Sequence, residues 1–177
     1  MKQFSALLLI VACLLGGCQK ADAVRKPVDA DLPPFTGRVV DRADVISTPV
    51  EQSLTAKLES LEQKTSDQFV VVTLESLRGK PIEDWGRQLG NGWGIGQKNK
   101  NNGALLIVAP KERKVRIQVG FGLESTLTNQ QCAEIIDRNI LPLFRQGQLE
   151  AGIKSGVDEI VDRLEGQSSM APIRKAA

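Results

Sequence analysis

The chain contains no histidine, and this absence limits the chemistry that its other side chains could perform. It excludes Ser-His-Asp and Cys-His catalysis, a histidine general base and zinc sites that need imidazole. Any site in this chain would therefore use carboxylates, amides, hydroxyls, Lys, Arg or a bound cation that prefers oxygen ligands.

The segment GIGQKNKNNGALLIV, residues 94–108, combines glycine, lysine and asparagine and so raises the question of a phosphate loop. Nucleotide-binding fingerprints leave a strand and enter a helix, so that the amides at the helix N-terminus meet the phosphate. Here the glycines follow a predicted helix and the loop leads into a strand. The order argues against a nucleotide site, and we interpret Gly94 and Gly96 as helix-stop and left-handed turn positions.

A cation site in the same loop is a second hypothesis. Calcium takes about six to eight oxygen ligands, many of them carboxylates and carbonyls. The loop offers amide oxygens from its asparagines, Asn102 among them, but it has no carboxylate and carries two interleaved lysines. Further ligands would have to come from elsewhere, and the candidates are Asp41, Asp44, Glu124 and Asp137. The alternative is a solvated turn whose asparagines tolerate positive φ.

Glu124 belongs to a second unusual turn, VGFGLES, in which Gly120 and Gly122 bracket Phe121 directly after a predicted strand. Strand ends of open α/β sheets commonly form the ligand crevice. Glu124 is therefore a site candidate, and the alternative is a glycine bend with a surface glutamate.

Capping patterns mark two of the helices that would position these turns. In STPVEQ, Thr48 is the predicted N-cap of a first helix, and Glu51 completes a capping box. Thr128 is the predicted N-cap of a later helix, with Gln131 as the reciprocal residue. We expect Pro142 to kink or end that later helix.

Strands are predicted from the apolar pattern. The continuous apolar runs in QFVVVTL and GALLIVAP indicate buried strands, and the strict alternation in KVRIQVG indicates a hairpin partner with one wetter face. Further helices are predicted from Pro81 onward and over residues 149–164. The order helix, strand, helix, strand, strand, helix, helix favours an α/β fold, a three-layer α/β/α sandwich with a mixed central sheet.

The composition is that of an ordinary globular domain, with 177 residues, 41% hydrophobic and 25% charged. The net charge is only +2, the aromatic content is 4% and Tyr is absent. A nucleic-acid partner is therefore not expected, because neither a strong field nor a base-stacking surface is available.

The first residues, MKQFSALLLIVACLLGGC, have the pattern of a secretion signal: Lys2, then a short apolar run, then small residues before Cys18. LGGC resembles a bacterial lipobox, and Gln19 after the cysteine favours sorting to the outer membrane. We expect lipidation of Cys18 and anchoring in the bacterial outer membrane, with the domain facing the periplasm. The alternative is an ordinary secretory signal.

These patterns divide the chain into four parts. Residues 1–17 are the expected lipoprotein signal peptide, and the polar, proline-bearing residues 18–34 are the expected flexible tether. Residues 35–165 are the expected folded domain. Residues 166–177 are the expected disordered tail.

Three stretches, VVDRADVIS, WGIGQKNKNNGALLIVAPKERKVRIQVGFGLES and LPLFRQGQLEAGI, resemble the TPM domain family, named for thylakoid-lumen, photosystem-repair and neuronal members. The resemblance implies an α/β/α sandwich. It also implies a role beside a membrane protein complex, because plant members assist photosystem repair and an animal member modulates a receptor. Acid phosphatase activity attributed to a plant member and calcium binding by some members imply two further possibilities.

The sequence departs from the family pattern at two positions where relatives commonly carry aspartate, namely Asn101 and Gln148. Each departure removes a carboxylate from a loop, so a calcium site that relatives have would be weaker or absent in this chain. The charged or amide positions that still match the family are Asp41, Asn102, Arg113, Lys114, Glu124 and Asp137.

Two function hypotheses follow. The first is a lipid-anchored TPM-domain protein that serves a membrane or envelope protein complex as an accessory or binding module. The second is a metal-assisted acid phosphatase that acts on phosphomonoesters. In it, Asp41, Glu124 and Asp137 are ligands or bases, Arg113 holds phosphate, and calcium or magnesium is bound, with Asn102, Glu124 and Asp137 as candidate metal ligands. No nucleotide and no other cofactor is expected in either case.

Overall fold

The computed structural model describes residues 32–170, with side chains to residue 166, and its centre is a four-stranded mixed sheet. The strands are β1 (Val39–Asp41), β2 (Gln68–Thr73), β3 (Gly103–Ala109) and β4 (Lys114–Val119), in that spatial order. β1, β2 and β3 run parallel, and β4 returns antiparallel to β3 as a hairpin. β3 is buried along its whole length because it lies between two strands and two helical layers.

Helices cover both faces of the sheet. The bounds are α1 (Thr48–Thr65), α2 (Ile82–Trp93), α3 (Asn129–Ile135), α4 (Leu141–Arg145) and α5 (Leu149–Met170). One apolar cluster joins α1, α3 and α5 to residues such as Val71 and Leu106 of the sheet. The other joins Trp85 of α2 to Val72 and Ile107 on the opposite face. The predicted three-layer α/β/α sandwich with a mixed sheet is confirmed.

The N-caps of two helices were predicted from the sequence. One of these predictions is confirmed and the other is wrong. Thr128 caps α3 as predicted: its hydroxyl accepts from the backbone N–H of Gln131, whose side-chain oxygen accepts from the Thr128 N–H. The predicted capping box at Thr48 is wrong, because α1 begins there and Ser47 is its N-cap, without a side-chain cap. The chain turns before Thr48 through other contacts, which involve Asp41.

The helical segment from α3 to α4 is irregular just before Pro142, the residue at which we expected a kink or an end. A single π-helical turn, Ile136–Ile140, follows α3, and Pro142 then lies in the first turn of α4. A proline is accommodated there because the first-turn N–H groups have no partner within the helix. The five-residue α4 ends at Arg145 with Gln146 as its C-cap, and Gly147 adopts φ 76° before α5.

The N-terminal end of the described region packs on the domain. The indole N–H of Trp93 donates to the carbonyl of Pro33 at 2.9 Å, and the Phe35 ring lies 5.3 Å from that of Trp93. The last part of the predicted tether therefore packs on α2, and α5 continues to Met170, into the predicted tail. The predicted signal peptide, Cys18 and the rest of the predicted tether lie outside the described residues. Among the residues described, no helix is both long and apolar enough to cross a membrane.

Candidate functional site

The sheet separates the predicted site residues between its two ends. β1 ends at Asp41, and the β3–β4 turn places Arg113 at the same end, because Ala109 pairs with Lys114. Asn102 precedes β3, so it lies at the other end. Glu124 lies there too, since β4 runs antiparallel and finishes where β3 begins. Glu124 is therefore not at the carboxyl end of the parallel strands, which is where ligand crevices are common.

Asp41 organises the turn between β1 and α1. Its Oδ2 accepts from the backbone N–H groups of Val45 at 2.9 Å and Ile46 at 2.8 Å, and its Oδ1 accepts from the Thr73 hydroxyl. Thr73, which is buried, accepts in turn from the N–H of Ala43 at 2.9 Å. Both carboxylate oxygens are therefore occupied by contacts that hold the backbone.

Asn102 is one of the few buried polar side chains, with 4% exposure, and its hydrogen bonds explain that burial. Its Oδ1 accepts from the Gln97 N–H at 2.9 Å, and its Nδ2 donates to the Ser66 carbonyl at 2.7 Å and to Asp67 at 3.1 Å. The side chain joins the loop before β3 to the turn before β2. This contact set is structural and leaves the amide committed within the protein.

The two glycine-rich turns pack against each other. An added Cβ at Gly120 would meet the carbonyl oxygen of Asn101, and one at Gly122 would meet that of Lys100. Gly120 donates its N–H to the Gly103 carbonyl at 2.7 Å. Close backbone approach therefore explains GFG, and it leaves Phe121 at the surface with 81% of its area exposed.

The left-handed conformations in the first of these turns follow the sequence interpretation. Gly94 ends α2 with φ 65°, Gly96 has φ 101° and Asn101 has φ 50°. The predicted helix stop and turn positions are confirmed, and Asn101 tolerates its conformation as asparagine does.

The remaining candidate carboxylates do not form a metal-binding group. Glu124 and Asp137 are exposed, and within residues 32–166 neither side chain makes a hydrogen bond or ion pair. In the same part of the chain, no group of three or more Cys, Asp or Glu side chains is placed to hold a metal ion. With the Asn102 amide committed, the candidates Asn102, Glu124 and Asp137 do not fit a calcium site of several converging oxygens.

A groove of about 620 Å³ lies between the β3–β4 turn and the α4–α5 turn, and we call it the basic groove. It is lined by three basic side chains and by apolar ones, with no acidic residue in its lining. The residues that matter most are Arg113, Lys114, Arg145, Leu141, Phe144 and Leu149. The three basic residues are exposed, and no ion pair or side-chain hydrogen bond engages them within the described side chains.

The two acidic residues nearest to the basic groove in sequence face other partners. Glu112 accepts from the Ser76 hydroxyl at 2.7 Å and the Leu77 N–H at 2.9 Å, and the Ser76 bond lowers the pKa of Glu112. Glu150 accepts from the Ser47 N–H at 2.6 Å, and this bond lowers the pKa of Glu150. Because these carboxylates hold backbone groups elsewhere, the charge of the basic groove is not neutralised by its sequence neighbours.

The TPM domain family model matches residues 39–163, which is most of the chain and nearly all of the described region. The chain belongs to the TPM domain family. Comparison with curated protein sequences gives no match.

Solved structures of similar domains agree with this assignment. The N-terminal domain of a P. gingivalis protein is 33% identical, with a TM-score of 0.71 over 76% of this chain and 85% of that chain. The N-terminal domain of the Corynebacterium glutamicum protein cg2496 is 19% identical, with a TM-score of 0.54 over 84% and 89%. The BA42 protein of the psychrophilic bacterium Bizionia argentinensis is 18% identical, with a TM-score of 0.59 over 73% and 86%. The last two show likeness of fold alone.

The basic groove joins two of the TPM-domain stretches recognised in the sequence. APKERK forms one wall through Arg113 and Lys114, and LPLFRQGQLEAGI forms the other through Phe144 and Arg145. Arg113 was identified from the sequence and Arg145 was not, although Arg145 belongs to LPLFRQGQLEAGI, one of the stretches that resemble the family. Their proximity depends on packing of α4 and α5 beside the sheet, which no local pattern shows.

The hydrogen bond between Ser47 and Glu150 gives a prediction about titration. The backbone N–H is the main cause of the lowered Glu150 pKa, and the Ser47 hydroxyl adds to it. Ser47→Ala keeps the N–H, so we expect the Glu150 pKa to rise only part of the way towards the usual value of about 4.3. NMR titration of the carboxyl carbon measures this, and a complete return to the usual value would contradict the backbone contact.

The sign of the stability effect follows from the direction of the shift. A carboxyl whose pKa is lower in the folded state stabilises fully above its unfolded pKa, about 4.3 for glutamate. The contribution is lost as the pH falls from there through the folded pKa. Stability of Ser47→Ala should therefore fall less over this acidic window than stability of the parent chain.

Proposed function

We propose that this TPM-domain protein is an accessory binding module, anchored in the bacterial outer membrane through lipid on Cys18, that serves an envelope or membrane protein complex. The observation that carries the proposal is the basic groove, whose three cations have no partner within the described side chains. At protein interfaces a positive patch commonly meets a negative one, so a cluster of basic side chains that the fold itself does not use is suited to an acidic partner. The sequence before Cys18 supports the anchor through its lipobox pattern.

The positions and contacts of the candidate acidic residues support binding rather than catalysis. Both oxygens of Asp41 hold the β1–α1 turn. Arg113 lies at one end of the sheet, whereas Glu124 and Asn102 lie at the other end. Metal-assisted phosphate hydrolysis relies on ligands and a base that converge on one point. No contact among the described residues favours the phosphatase hypothesis, which stays a prediction.

Cross-linking in cells tests the accessory role. Cells that produce the native chain are treated with a lysine-reactive cross-linker, and the adducts are identified by mass spectrometry beside an uncross-linked control. We expect one or a few specific envelope proteins. Adducts no different from those of an unrelated outer-membrane lipoprotein would overturn the proposal.

The anchor has its own test. Cys18→Ser removes the thiol that would carry lipid, so labelling with palmitate should be lost and the protein should leave the membrane fraction. Cys132→Ser, at a buried core position, is the matched cysteine control and should keep its label. Unchanged membrane fractionation of Cys18→Ser would refute lipid anchoring.

A further inference from the structure

The lining of the basic groove combines exposed charged side chains with half-buried apolar ones. Lys114 and Arg145 are exposed at its rim, whereas Leu141, Phe144 and Leu149 are half-buried along its wall. A volume of about 620 Å³ is much larger than a phosphate ion needs and lies within the range of pockets that hold small ligands. An occupant that fills this space must combine negative charge with apolar surface.

The start of α5 adds to the positive potential. α5 begins at Leu149, on the wall of the basic groove, and continues for 22 residues, so the positive end of its dipole lies beside Arg145. Gln148 precedes the helix and its backbone carbonyl accepts from the Gly152 N–H at 3.0 Å, while its side chain is uncharged. The one carboxylate in the first turn, that of Glu150, binds the Ser47 N–H instead of lining the groove.

We propose that the basic groove binds a short acidic segment of a protein partner, in which an apolar side chain is flanked by carboxylates. The apolar side chain packs between Leu141, Phe144 and Leu149, and the carboxylates meet Arg113, Lys114 and Arg145. A phospholipid headgroup carries charge without apolar surface at the same depth, because its acyl chains stay in the bilayer. The mixed lining therefore favours a peptide. The inference rests on the proposed accessory function and names the chemistry of the partner.

Binding of a defined peptide tests the groove. The full chain, in mild non-ionic detergent, is titrated with a fluorescein-labelled peptide in which one phenylalanine is flanked on each side by two glutamates. We expect saturable binding. Replacing the glutamates by glutamines, or the phenylalanine by serine, should weaken binding about tenfold, since the basic or the apolar lining residues then lose their complement.

Matched protein variants locate the site. The double variant Lys114→Gln and Arg145→Gln should weaken the peptide about tenfold, because two exposed charge contacts are lost. Lys111→Gln is the control, since Lys111 is an exposed lysine in the same hairpin turn that does not line the groove. An equal loss in the control would show attraction by net charge alone and would overturn the groove as the site.

Gln148→Asp separates binding from folding. Aspartate is a preferred residue directly before a helix, so this variant should unfold at an equal or higher urea concentration. Its carboxylate lies beside the basic groove, so it should weaken the peptide several-fold. Undiminished binding by a stable Gln148→Asp protein would contradict the proposed position of the peptide.

Other ligands are outcomes of the same titration. The same titration is run with dihexanoyl phosphatidylglycerol and with inorganic phosphate. If either binds the groove more tightly than the peptide does, the peptide proposal is overturned in favour of a lipid or a phosphate. Absence of saturable peptide binding would overturn it as well. If cross-linking still recovers an envelope partner in that case, the accessory function stands and only the groove inference falls.

Discussion

Gly103→Ala should lower the free energy of unfolding by about 3 kcal/mol, at the upper end of what overpacking of a core produces. A Cβ at this position would lie 2.5 Å from the carbonyl oxygen of Ile95, 2.7 Å from its carbon and 2.9 Å from the nitrogen of Gly96. All three are backbone atoms, so no side-chain rotation relieves the contact. Movement of β3 itself is opposed, because Gly103 pairs with Gln68 and accepts from Gly120.

Urea unfolding of the full chain, followed by tryptophan fluorescence, measures this change, because Trp85 is almost fully buried. Gly166→Ala is the matched control. That glycine lies on the exposed side of α5, where an added Cβ meets nothing within 4 Å. Alanine favours a helix interior over glycine by about 0.5–1 kcal/mol. The two substitutions should therefore move stability in opposite directions, and a Gly103→Ala protein as stable as the parent would show that the turn can open.

The close packing around Gly103 also shows how far a local pattern predicts structure. The helix stop at Gly94 and the strand that begins at Gly103 follow from residue type and order, and both are present. The reason for a glycine at position 103 could not be predicted. It depends on the backbone of Ile95 and Gly96 approaching across the loop, which no local pattern shows.

The same limit applies to the candidate site. Sequence patterns identified charged residues, but they could not show which end of the sheet each residue occupies. Glu124 is an exception, because the predicted hairpin already implies that β4 runs antiparallel and ends where β3 begins. β1 was not predicted at all, because a strand of three residues is too short for an apolar alternation to be recognised. The basic groove depends on Arg113 and Arg145, which come together only through the tertiary packing of α4 and α5.

Asp41 has the carboxylate that a catalytic acid needs, but its contacts indicate a structural role. Substitution of Asp41 can distinguish the two. We expect Asp41→Ala to lower the free energy of unfolding by about 2–3 kcal/mol, the cost of leaving hydrogen-bond donors without their acceptor. The N–H groups of Val45 and Ile46 lose a charged acceptor, and the buried Thr73 hydroxyl loses its partner. Asp41→Asn keeps the shape and one acceptor oxygen, so its effect should be smaller. Urea unfolding of the three proteins gives the order.

Asp137→Ala completes the comparison, because Asp137 is a candidate acid of the same type that is exposed and makes no side-chain hydrogen bond within the described residues. Its stability should change by no more than about 0.5 kcal/mol. A clear difference between the two alanine variants would assign Asp41 to the turn that joins β1 to α1. Equal stabilities would mean that the turn does not need the carboxylate, and Asp41 would then be available for the chemistry that its residue type first suggested.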